Sequence, residues 1–158
     1  MRFAFVVDPL DQLKAYKDSS IAMMRAAAGR GHEVHALEAR EIVVLEGAVR
    51  SRVRRLEVGK DNAAWHRVTG ESQARLADFD YVMMRKDPPF DQEYYYATLL
   101  LERAEAEGTH VLNNPRALRD WNEKLAILRF PRLAPPTLVA SDMAAVHAFI
   151  DAHRDVIV

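Results

Sequence analysis

The chain has no cysteine. That excludes disulfide stapling and thiolate catalysis and fits a reducing compartment. No apolar run approaches the roughly 18 residues of a membrane span. The opening Met1-Arg2-Phe3-Ala4-Phe5-Val6-Val7-Asp8 is too short and too soon interrupted for a secretory leader. The expectation is a cytoplasmic protein with no membrane partner. Charge of one sign is not in excess either. Formal net charge is −1, which gives no global pull toward nucleic acid or acidic lipid. The patterns G-x-x-x-x-G-K-[ST] and G-x-S-x-G are absent, and Gly29-Arg30-Gly31 follows a helical stretch, so it reads as a helix stop and not a dinucleotide loop. The six histidines show no ligand spacing on one helix face, which argues against a zinc site. What is present is ordinary for a globular protein: 158 residues, 49% hydrophobic and 28% charged, enough to bury one real core.

The chain is organised around Y-V-M-M-R-K-D-P-P-F, residues 81–90. Four apolar residues in a row, without polar alternation, suit a strand covered on both faces. Pro88 and Pro89 cannot donate to a ladder, so pairing should stop near Lys86 and Asp87. Arg85, Lys86 and Asp87 then lie at the carboxyl end of a central strand, where open α/β sheets bind ligands. A solvated strand end with a local ion pair is the competing reading. Residues 3–7 form a second such run, ended by Asp8-Pro9, and the two strands are expected to be parallel neighbours with their carboxyl ends at one edge.

From the start of the chain, a polar loop over 10–18 leads to Ser19 and Ser20, both good N-caps, then to a helix over 21–28 ended by Gly29 or Gly31 and a strand over 34–37. Residues 42–58 read as an antiparallel excursion turning at Glu46-Gly47. In it Arg50, Arg52 and Arg54 share one face of an edge strand. A nucleic-acid contact is the sharper reading of that stripe, but no aromatic residues interleave with it and Glu41, Glu46 and Glu57 lie near, so no nucleic-acid partner is expected. Residues 60–77 are weakly patterned, a lid or a surface excursion anchored by Trp65 and Val68. A helix over 92–107 follows, with Asp91 as its cap, and then a strand at Val111-Leu112 stopped by Asn113-Asn114-Pro115. Asp120-x-x-Glu123 resembles a capping box for a helix through Leu128. Pro131, Pro135 and Pro136 mark a crossing. Beyond them a strand over 137–140, a helix from Ser141 to Ala152 and a strand over 156–158 are expected, and the last reads as cut. The predicted fold class is α/β, an open, mostly parallel sheet with flanking helices.

Certain residues, taken in order, carry a resemblance. Lys17-Asp18-Ser19-Ser20, Met84-Arg85-Lys86-Asp87-Pro88-Pro89-Phe90-Asp91, Leu101-Glu102-Arg103, Asn113-Asn114-Pro115, Leu118-Arg119-Asp120 and Asn122-Glu123-Lys124-Leu125 resemble bacterial glutathione synthetase over essentially the whole chain. The long Met-Arg-Lys-Asp-Pro-Pro-Phe-Asp run is the most specific of these; Asn-Glu-Lys-Leu alone would be weak.

The resemblance implies a pre-ATP-grasp, Rossmann-like domain over residues 1–120 and the start of an ATP-grasp domain over 121–158. It implies ATP-dependent ligation of γ-glutamylcysteine and glycine through an acyl phosphate, with ATP and Mg2+ required. Binding in such a reaction is mainly cationic clamping and positioning. By resemblance Lys17, Asp18, Ser19, Arg85, Lys86 and Asp87 contact substrate, and Lys124 resembles the first of two lysines on the ATP phosphates. Arg85 suits bidentate grip of a carboxylate and Lys86 a point charge. Asp87 suits orienting those cations or accepting an ammonium, and Ser19 opens a helix whose amino end favours an anion. The family's second nucleotide lysine, glycine-rich flap and acidic magnesium ligands lie past this chain's last residue, so no catalytic residue and no metal ligand is expected within it, and no ligation by the chain alone. A homo-oligomer is compatible with this reading. Two alternatives stay open: another ATP-grasp carboxylate–amine ligase, or a non-catalytic binding module for a small anionic metabolite.

Overall fold

The computed structural model describes residues 1–122 and 124–157. It divides into two compact units, Met1–Asp120 and Trp121–Val158. In the first, β1 (Arg2–Val6) leads through α1 (Ser19–Gly29) to β2 (Glu33–Leu37). An antiparallel portion follows, made of β3 (Ile42–Leu45), β4 (Ala48–Val58) and β5 (His66–Arg75). The chain then returns as β6 (Tyr81–Met84), α2 (Gln92–Ala106), β7 (His110–Leu112) and α3 (Pro115–Asp120).

The parallel part of the sheet runs β2-β1-β6-β7. Phe3 stands opposite Val34 on one side and Tyr81 on the other, and Val6 stands opposite Leu37 and Met84. The two apolar runs are therefore neighbours, and their carboxyl ends share one edge. From β1 the chain crosses by α1 to one side; from β6 it crosses by α2 to the other. The gap between β1 and β6 is thus the topological switch point, where loops diverge and leave a crevice. Alternation along the strands feeds two cores. Ala4, Val6, Val82 and Met84 pack with Tyr94, Ala97, Leu101 and Ala104 of α2. Phe5 and Val7 pack with Ile21, Met24 and Ala27 of α1. Burying side chains such as Ile21 or Leu101 stabilises by about 1.5–3 kcal/mol each, and burial on both faces is why these strands lack polar alternation.

The antiparallel portion departs from expectation in two places. Glu46 and Gly47 turn with φ of 53° and 76°, the left-handed pair that a two-residue hairpin requires. β4, however, is not an edge strand: β2 and β3 pair with it, and so does β5. Its arginine stripe is met by carboxylates. Arg54 is held by Glu41 at 2.6 and 2.8 Å and Arg52 by Glu41 at 3.0 Å, with Glu71 within 3.8 Å of both. Burial pushes the Glu41 carboxyl up, but hydrogen bonds from Arg54, the backbone at Glu38 and Arg52 outweigh it, and the net displacement is downward. Much of residues 60–77 is the ten-residue strand β5. Trp65 is its anchor at 5% exposure; Val68, at 40%, is not. Arg25 binds the carbonyls of Gly59 and Asp61 and the side chain of Asn62, fixing the β4–β5 connection to α1.

In the second unit the expected elements are mostly replaced. Asp120 ends α3. Asn122 Oδ1 instead accepts from the amides of Lys124 (3.0 Å) and Leu125 (3.3 Å), and a short 3-10 turn covers Ala126–Arg129. Glu123, the other half of the expected capping box, lies outside the described residues. Residues 137–140 and 156–157 are not strands. A strand needs a neighbour to satisfy its backbone groups, and among the described residues none pairs with either segment. Val158 is also outside the described residues. The helix does form, as α4 (Met143–His153), but Asp142 and not Ser141 caps it, accepting from the amide of Ala144 at 3.1 Å.

Candidate functional site

The site is built by the ends of β1 and β6. The amide of Arg85 donates to Val6 O at 2.9 Å, so ladder geometry carries one residue past β6. Successive residues there point to opposite sides of the sheet, and this separates the Arg-Lys-Asp run. Arg85 turns toward α1, where Nη2 donates to Ser19 Oγ at 2.7 Å and Nε to Ser20 Oγ at 3.3 Å. Lys86 turns the other way. Its Nζ meets Asp8 Oδ1 at 3.2 Å, in a small cleft of about 190 Å³ with Glu38, Arg40 and Glu93. Asp8 Oδ2 accepts from the Asp87 amide at 3.0 Å. Asp8 thus ties the end of β1 to the loop after β6.

Five of the six expected substrate contacts line one cleft of about 450 Å³: Lys17, Asp18, Ser19, Arg85 and Asp87, with Lys14 and Asp8 beside them. Lys86 is the exception, since strand alternation assigns it to the neighbouring cleft. The expected cap also moves. Asp18, not Ser19 or Ser20, precedes α1, and its Oδ1 accepts from the amides of Ser20 (2.7 Å) and Ile21 (3.3 Å). A charged acceptor outcompetes a hydroxyl at the positive end of a helix. Those two amides are consequently engaged by the protein itself, not turned to an external anion. With Asp18 in the cap and Asp8 on Lys86, the cleft's remaining field comes from Lys14, Lys17 and Arg85, opposed by Asp87. Such a set favours a carboxylate or phosphate with an adjacent ammonium.

Two residues of this arrangement were not among the expected substrate contacts. Asp8 had a signal, as the acid directly ending an uninterrupted apolar strand. Ser20 stood in the sequence only as a capping residue and as the end of the Lys17-Asp18-Ser19-Ser20 motif; the structure adds that its hydroxyl accepts from Arg85 Nε at 3.3 Å. Lys124 lies in the second unit, with its side chain exposed and its amide bonded to Asn122. Among the described residues no three acidic, histidine or cysteine side chains gather as a metal site, and no helix is long and apolar enough to cross a membrane.

The family model described as prokaryotic glutathione synthetase, N-terminal domain, matches residues 1–119, and that described as prokaryotic glutathione synthetase, ATP-grasp domain, matches residues 123–158. A glutathione synthetase of Escherichia coli O127:H6 is 44% identical over 157 residues, covering 99% of this chain and 50% of the relative. One of Nitrosomonas europaea is 44% identical over 160 residues, with the same coverage of 99% and 50%. The chain spans about half the length of the curated relatives it matches. A solved structure of the ATP-grasp ligase PsnB complexed with minimal precursor is similar with a TM-score of 0.44 and 24% identity, over 94% of this chain and 50% of that one.

Proposed function

The chain belongs to the prokaryotic glutathione synthetase family, and on that premise we propose that it supplies the dipeptide-binding part of a cytoplasmic ligase joining γ-glutamylcysteine to glycine at the expense of ATP. In that reaction an oxygen of the cysteinyl carboxylate attacks the terminal phosphorus of ATP and ADP leaves. The amine of glycine then attacks the acyl carbon, the bond to phosphate breaks, and the amine gives up a proton. The observation that carries this reading is the cleft at the switch point, where Arg85 faces a space lined by Lys14 and Lys17. γ-Glutamylcysteine brings two carboxylates and one ammonium. A guanidinium suits one carboxylate, the exposed lysines the other, and Asp87 the ammonium. In this proposal these groups bind and orient, and none takes part in bond making.

Lys124 is proposed to meet ATP phosphate as a point charge. When bound, Mg2+ would neutralise phosphate charge, and the proposal gives no residue of this chain a role in holding it. The test is turnover by a full-length enzyme carrying this chain, with ATP, magnesium, γ-glutamylcysteine and glycine, read as ADP and glutathione. Arg85→Ala should lower the specificity constant for the dipeptide by about one to two decades while leaving the KM for ATP near its starting value. Efficient use of a different carboxylic acid in place of the dipeptide would overturn the substrate assignment.

A further inference from the structure

The Arg85 guanidinium has two edges able to grip a carboxylate: the side edge, Nε with Nη2, and the end edge, Nη1 with Nη2. The side edge is occupied by hydroxyls from consecutive residues in the first turn of α1, Ser19 at 2.7 Å and Ser20 at 3.3 Å. Ser20 is only 4% exposed, and in the wall of the cleft its hydroxyl is turned to the Arg85 Nε. α1 itself is fixed by Asp18, and the backbone of Arg85 by Val6. Among the described residues no acceptor stands against Nη1.

We propose that Ser19 and Ser20 are positioning residues for Arg85: they hold the side edge of its guanidinium so that the end edge alone faces the cleft and grips a planar carboxylate. This rests on the reading of the cleft as a carboxylate site. A long side chain held at two points loses less rotamer freedom on binding than one searching from solvent, and a fixed planar fork matches a carboxylate in two parallel hydrogen bonds. Lysine could not substitute, because an ammonium has neither a plane nor a second edge to be held by.

The test is calorimetric titration of the chain with γ-glutamylcysteine, together with the NMR signal of the Arg85 Nε–H. Replacing both serines (Ser19→Ala with Ser20→Ala) should weaken binding roughly tenfold and broaden the Nε–H resonance. Threonine at both positions keeps the hydroxyls and should restore both readouts. In an Arg85→Ala background the serine replacements should add nothing. Should the double variant unfold, Ser19→Ala alone, at the exposed position, carries the same test with a smaller loss. Unchanged binding in the serine variants, with loss in Arg85→Ala, would overturn the positioning role and leave the site standing. An additive loss in the Arg85→Ala background would overturn it as well. No loss in Arg85→Ala, or no binding by the parent chain, would remove the carboxylate site and the inference with it.

Discussion

Met1–Asp120 and Trp121–Val158 differ in how far their apolar residues are covered. In the first unit Phe5, Ile21, Met24, Leu37, Leu101 and others are essentially inaccessible. In the second, α4 has no buried residue, and Leu128, Phe130, Leu133 and Met143 are exposed, with Ile157 at 99%. The second unit is no poorer in apolar residues than the first; what differs is the presence of partners. A sheet with helices on both faces can bury its central strands, whereas one helix with two unpaired extended segments has no such cover. Its groove of about 510 Å³ beside Phe149 and Ile150 is the visible result.

The largest expected contrast is in amide exchange of the chain as it stands. Val82 and Met84 should exchange only on global unfolding, while the amides of α4 should exchange through local opening, orders of magnitude faster. Equal protection in a monomer would break the comparison. Next in size is a pair of truncations. Leu101→Ala removes a fully buried side chain and should cost about 2–5 kcal/mol in denaturant unfolding. Phe149→Ala, on a helix with no buried residue, should stay within about 0.5 kcal/mol.

How much of this was legible in the sequence follows from the same contrast. β1, β6, α1 and α2 could be read because burial on two faces writes uninterrupted apolar runs, and Asp91 writes a cap. β5 could not, because it is held by its ladder to β4 while both its faces are largely wet, so no alternation marks it. The strands expected over 137–140 and 156–158 have strand-like residues, but strand formation depends on a neighbour. Within the site, the identity of the Arg-Lys-Asp run was readable and its division was not. Whether Arg85 or Lys86 faces α1 depends on register, which the pairing of β1 with β6 decides.

The smallest expected effect is in pH. Burial, then the charge of Arg2, pushes the His35 imidazole below its ordinary value of 6.5. The unfolded chain therefore takes up that proton first, and stability of the first unit should fall as pH drops below 6.5 toward the lower folded value. Glu41 acts in a second window. Its carboxyl is held below 4.5, so its contribution is present above 4.5 and lost as pH falls through the folded value. Urea unfolding at stepped pH should show both slopes, with His35→Phe flattening the upper and Glu41→Gln the lower. Unchanged slopes in the variants would assign the pH dependence to other groups.

On the proposed function, the crevice between β1 and β6 binds the dipeptide. The most direct test of that claim is an NMR titration of the isotope-labelled chain with γ-glutamylcysteine. The expected result is that shifts concentrate on Lys17, Ser19, Ser20, the Arg85 Nε–H and the amide of Asp87, and that Arg85→Ala moves the backbone shifts to roughly ten- to hundredfold higher dipeptide concentration. Shifts confined to α4 and residues 135–140, or a concentration dependence that Arg85→Ala leaves intact, would contradict it.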